Sequence, residues 1–149
     1  MAGGIKLKLT GFDKLLEKVQ EASKDASRAA AKVVDESSKV IEAELKNEAS
    51  ASGLPTSLTG EITREVTAEG DRYSASTGWK LGNYDPRNLS AGYKAIFLNY
   101  GTVRRQTKTG KDRGQLEKRD FINRAKKAAK PKVKKLQKQI IDEVMGDLK

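Results

Sequence analysis

Tyr93-Lys94-Ala95-Ile96-Phe97-Leu98-Asn99-Tyr100-Gly101-Thr102 is the stretch on which the fold turns. It is apolar on both alternating faces, Phe97 one way and Ile96 and Leu98 the other, and predicts a central strand over Tyr93–Tyr100 covered from both sides. Gly101-Thr102 stops it. From there to Lys118 there is no period, only Arg104, Arg105, Lys108, Lys111, Arg113 and Lys118 with Gly110 and Gly114, so an exposed basic loop is expected at about 101–118. Phe121, Ile122, Ala125, Ala129, Val133, Leu136, Ile140 and Val144 then recur at helical spacing. Pro131 falls inside that helix, removes one backbone hydrogen bond and predicts a kink. Tyr93, Phe97, Tyr100, Gly101, Phe121 and Ile122 are therefore the expected scaffold that carries the loop.

Upstream the signals are more regular. Ile5, Leu7 and Leu9 alternate with polar residues as in a short opening strand. Thr10 and Asp13 have the spacing of a capping box, and apolar residues from Leu15 to Leu45 follow a helical period to about Ala49. A straight helix of about 36 residues would be roughly 54 Å long, against a diameter of roughly 40 Å for a domain of this size. It must kink, around Ser23-Lys24-Asp25, or project onto a neighbour. Its alanine-rich middle permits close packing, on the chain's own sheet or in a subunit interface.

Ala51–Ser57, with Gly53 and Pro55, is a turn-rich connector. Ile62, Val66 and Ala68 alternate with polar residues, Glu69-Gly70-Asp71 supplies a hairpin turn, and Tyr73, Ala75, Thr77 and Trp79 line one side of a third strand. The expected architecture is one α+β domain over residues 1–149. A small, mostly antiparallel sheet packs against a long N-terminal helix and a C-terminal helix.

Composition narrows the chemistry. The 149 residues contain no cysteine and no histidine, which removes disulfides, thiolate and imidazole metal sites and every nucleophile–histidine arrangement. Glu42, Glu44 and Glu48 read as helix-surface charges, and Gly110-Lys111-Asp112 lacks the first glycine and the Ser/Thr of a phosphate-binding loop. No catalytic, metal or cofactor site is expected. No apolar run reaches membrane-spanning length and the N-terminus lacks a signal-peptide core, so a soluble protein made in a cytoplasm is expected. The net charge is +10, and residues 1–100 hold 14 basic and 14 acidic side chains while residues 101–149 hold 16 and 6. The excess lies wholly in the last third, where it attracts polyanions or an acidic protein surface or simply solvates a helix face.

Three motifs, Gly11-Phe12-Asp13-Lys14-Leu15-Leu16, Tyr93 to Phe97 to Tyr100-Gly101-Thr102, and Asp120-Phe121-Ile122 with Ala125, occur in the order found in a known group. The chain resembles the tail-component family typified by gene product ten of phage HK97, neck and tail-completion proteins of tailed phages. Asn99 stands where that pattern has glutamate, Asp120 where it has proline, and Gly53–Gly60 only echoes its motif after the first helix. The resemblance implies a structural virion protein, assembled in the bacterial host cytoplasm. It would form a ring at the head–tail junction or complete the upper end of the tail, around the DNA channel. Implied partners are further copies of itself, adjacent connector and tail proteins and non-specific duplex DNA; no membrane is implied. Arg104, Arg105, Lys108, Lys111 and Arg113 are the residues expected to meet DNA or an acidic partner. The alternative is a non-virion nucleic-acid-binding protein using residues 101–138, against which stands the lack of a stacking aromatic in the loop.

Overall fold

In the computed structural model, residues 24–70 and 72–147 are described. Helix α1 is Lys24–Ala51, a short helix α2 is Thr56–Thr59, strands β1 and β2 are Thr63–Glu69 and Arg72–Gly78, and helices α3 and α4 are Ala91–Tyr100 and Phe121–Asp147. The expected opening strand, the capping box and the part of the long helix before Lys24, up to the expected kink, lie outside the described residues.

The two long helices pack on each other and the β1–β2 hairpin packs on α1, giving an α+β architecture. The hairpin is antiparallel, in register from Thr63 opposite Gly78 to Glu69 opposite Arg72. Its inner strand is β2. Tyr73 and Ala75 pack against Ala30 and Val34 of α1, and the Tyr73 hydroxyl hydrogen-bonds Ser27 Oγ at 2.9 Å. β1 is tied down at one point, where Arg64 reaches Asp35, Ser38 and Glu42 of α1. The other β1 residues are exposed.

The main core joins Ile41, Leu45 and Ala49 of α1 to Phe121, Ile122, Ala125, Ala129 and Val133 of α4, with Leu54, Ile62, Trp79 and Ala95 closing its end. The residues read as the apolar stripe of the last helix do face inward, although Leu136 and Val144 are only half-buried. Trp79 and Phe121 meet edge to face at 5.9 Å, and Trp79 Nε1 donates 2.7 Å to the Leu58 carbonyl. Helix α4 continues through Pro131, which lies on the exposed side.

One expectation is overturned: Tyr93–Tyr100 is not a strand. It lies within α3, with Ser90 as N-cap accepting from Tyr93 N and Gly101 closing the last turn by donating 2.8 Å to the Phe97 carbonyl. A short apolar run has no period that separates a strand from a buried helix. The deciding contacts are Gly92, Ala95 and Asn99, a buried face at helical spacing. A Cβ on Gly92 would stand 2.5 Å from the Lys80 carbonyl, so glycine lets α3 lie directly on the Lys80–Leu81 backbone. Of the expected scaffold, Phe121 and Ile122 are buried, Tyr93, Phe97 and Gly101 half-buried, and Tyr100 exposed.

Candidate interaction site: the basic arm and its base

Residues 102–116 form an ordered projecting arm. Thr102 N donates to the Leu116 carbonyl, Arg113 N to Arg105, Thr107 N to Lys111, and Gln106 bridges Asp112 in antiparallel fashion, with a turn at Gly110. Side chains alternate across such a ribbon. Around the Gln106–Asp112 bridge, Arg105, Lys111 and Arg113 therefore share one side, with Val103 next along the Arg105 limb, and Arg104 and Asp112 the other. Arg105 N donates to the Gly114 carbonyl, a bulge that interrupts the alternation beyond Arg113.

The expected contact residues fall into two electrostatic classes. Arg104 is held inside the arm, its Nε donating 2.9 Å to Asp112 Oδ2 with a second contact from Nη2. The Arg104 guanidinium, helped by the Gly114 amide, holds the Asp112 carboxyl below its usual range, and Asp112 in turn raises Arg104. A carboxylate with a depressed pKa stabilises above its unfolded pKa, and that contribution is lost as pH falls through the folded value. Amide protection in the arm, taken relative to the intrinsic exchange rate at each pH, is therefore expected to stay unchanged through neutral pH and to fall on acidification into and below the ordinary carboxylate range. An arm whose exchange follows only the intrinsic pH dependence would rule this out. Arg105, Lys108, Lys111 and Arg113 form no ion pair among the described residues. Arg105 lies opposite Arg113 in the ladder, an unfavourable like-charge pairing.

The base of the arm is clamped. Arg119 N and Asp120 N donate to the Leu98 and Asn99 carbonyls at the end of α3. Arg119 Nη1 reaches the Ser52 carbonyl at 2.8 Å, and Arg124 bridges Glu48 and Ser52 at the end of α1. Asn99, fully buried, accepts 3.0 Å from Ile122 N through Oδ1 and so caps α4 from another helix, while its Nδ2 has no partner among the described residues. Asn99→Ala is expected to cost about 1 kcal/mol, as loss of an N-cap acceptor does, and to raise exchange at the Ile122 amide. Unchanged exchange there would exclude the cap. Beyond the base, Lys127, Lys130, Lys134 and Lys138 run down the exposed face of α4 with no acidic residue between Asp120 and Asp142.

A family model described as "Bacteriophage HK97-gp10, putative tail-component" matches residues 13–101, more than half of the chain. The chain belongs to this family. No curated protein and no solved structure matches it. For this HK97-gp10-like tail component the end of the match is informative, because residue 101 is the glycine from which the arm departs. The matched span takes in α1, the hairpin and α3, while the arm and α4 lie beyond it.

Glu42, Glu44 and Glu48 are engaged with basic residues: Glu42 with Lys46 and Arg64, Glu44 with Lys132, and Glu48 with Arg124. Sequence reasoning missed the apolar side of the site. Tyr100, Val103 and Leu116 are exposed at the arm's base, Val103 by 81%. Glu65 and Glu69, read from the sequence as part of the polar face of a strand, and Glu61 just before it were not among the expected contact residues.

Proposed function

We propose that this tail component is a structural virion protein that closes into a ring at the head–tail junction or at the upper end of the tail, around the DNA channel. It acts by packing, without catalysis. The observation that supports this reading is the arm. A hydrogen-bonded ribbon carrying three unpaired cations on one side and exposed apolar residues at its base has no complement among the described residues, as expected of a part that reaches a neighbour. A ring requires a heterologous contact, one patch meeting a different patch on the next copy. Size-exclusion chromatography with light scattering, followed by native mass spectrometry, is expected to show one closed multimer; a monomer persisting at high concentration would count against it.

The lysine face of α4 favours a second contact, with duplex DNA. Lys127, Lys130, Lys134 and Lys138 sit on one exposed side and form no ion pair among the described residues, a sequence-independent counterpart to phosphate. Replacing all four by glutamine is expected to lower the dependence of log affinity on log salt by about 3–4 for random duplex, because each phosphate that a lysine neutralises adds roughly 0.9 to that slope. An unchanged slope would remove α4 from the DNA surface.

A further inference from the structure

Side chains that carry charge without a partner are unevenly placed on this surface. Among the described side chains, Glu61, Glu65, Glu69, Asp85, Glu117 and Asp142 are the carboxylates outside any ion pair. Two of these, Glu65 and Glu69, lie on β1 and by strand alternation point to one side, and a third, Glu61, stands in the turn that leads into the strand. Among the described residues β1 hydrogen-bonds to β2 alone, and its other edge presents backbone N–H and C=O groups that none of them satisfies. Val66, at its middle, is 40% exposed.

The arm has the opposite character in the same format. It is a ribbon of extended chain whose two limbs pair with each other, their outer edges unpaired among the described residues. Arg105, Lys111 and Arg113 share one side, and the exposed Val103 lies beside Arg105. The lengths agree: β1 has seven residues, about 24 Å at roughly 3.4 Å per residue, and the limb from Thr102 to Thr107 spans about 20 Å.

We propose that the arm of one copy docks along the free edge of β1 of the next copy, with Arg105, Lys111 and Arg113 facing Glu61, Glu65 and Glu69. This deepens the ring reading, on which it rests, by naming the two unlike patches of the heterologous contact. A second copy is the occupant because the acidic row and the basic ribbon both lack partners among the described residues and match in sign, length and extended conformation. Each copy then uses its arm on one neighbour and offers β1 to the other. Arg104 contributes through Asp112, which keeps the ribbon formed, and does not face the acidic row.

The chain has no cysteine, so introduced thiols report cleanly. Val66→Cys protein mixed with Val103→Cys protein and treated with a short flexible bismaleimide is expected to give the mixed dimer at least tenfold faster than Val66→Cys mixed with Lys134→Cys, whose thiol sits on the outer face of α4. Reversing the acidic row (E61K, E65K) on the Val66→Cys partner is expected to abolish that excess. Combining it with R105E and R113E on the Val103→Cys partner should restore it. Mixed dimer forming no faster than the α4 control, or charge reversal without effect, or reversal on both sides without rescue, would each overturn the proposal. Light scattering on the unmodified protein tells the two readings apart. A closed multimer without arm-to-β1 cross-linking sinks the docking surface and leaves the ring. Cross-linking with rescue but no closed multimer keeps the surface and sinks the ring.

Discussion

Trp79→Ala is expected to destabilise the protein by about 3–5 kcal/mol, the range for truncating a fully buried aromatic, and to lower the midpoint of thermal unfolding by roughly 10 °C. Trp79 is 1% exposed and closes the core against Phe121, which is fully buried. Its removal leaves a large cavity between the end of α1 and the start of α4, where neither helix can move inward without breaking its packing on the other. A second loss adds to the first. The Leu58 carbonyl, which accepts from both Trp79 Nε1 and the Glu61 amide, loses the shorter of its two hydrogen bonds. Trp79→Phe separates the two, because phenylalanine keeps much of the apolar packing and discards the donor, at about 0.5–1.5 kcal/mol for one lost hydrogen bond to a carbonyl that keeps the Glu61 amide. Far-ultraviolet circular dichroism with heat and with denaturant measures both variants. An alanine variant within about 1 kcal/mol of the parent would mean that the hairpin end of the core carries little of the stability.

Gly101→Ala is the second large effect, and it acts on the arm as well as on stability. Gly101 has φ 74° and ψ −177°, a conformation open essentially to glycine alone, and forcing another residue into it costs on the order of 1–3 kcal/mol. Space is also lacking: a Cβ would stand 2.7 Å from the Leu116 carbonyl oxygen and 2.9 Å from Lys118 N, both backbone atoms. The returning limb of the arm must then shift, loosening the Thr102–Leu116 hydrogen bonds and the Arg119–Leu98 clamp together. Trypsin, which cuts after the many basic residues between Arg104 and Lys118, is expected to cleave the variant many times faster than the parent. Gly110→Ala is the comparison, since Gly110 also has a positive φ but open space where the methyl would stand, so only local strain is felt. Equal cleavage of the Gly101 and Gly110 variants would show that Gly101 does not hold the arm.

The parts legible in the sequence are those whose signal is repeated along the chain. The apolar residues of α1 from Ala29 to Ala49, and those of α4 from Phe121 to Ile140, each state a helical period several times over, and tertiary contacts had only to choose what the stripe faced. The hairpin is marked by alternation on both sides of Glu69-Gly70, which settles its pairing locally. In α3, by contrast, ten residues with apolar side chains all round favour neither period. Two local signs do point to a helix: Ser90 at the cap position and Gly101 at the stop. The two-sided apolar run outweighs them in a linear pattern, because nothing in it shows that Gly92 must lie against Lys80.

Sequence alone therefore determined the family, the long helices, the hairpin and the concentration of positive charge after residue 100, because each is written in local composition, periodicity or motif order. Tertiary structure alone decided that α3 is a helix, that residues 102–116 are a hydrogen-bonded arm, that Arg104 is neutralised while Arg105 and Arg113 are not, and that Asn99 caps α4. The physical reason is common to all four. Each depends on a partner brought close by folding, as Gly92 to Lys80, Thr102 to Leu116, Arg104 to Asp112 and Asn99 to Ile122 are, and a linear pattern records which groups a chain contains but not which of them it will satisfy.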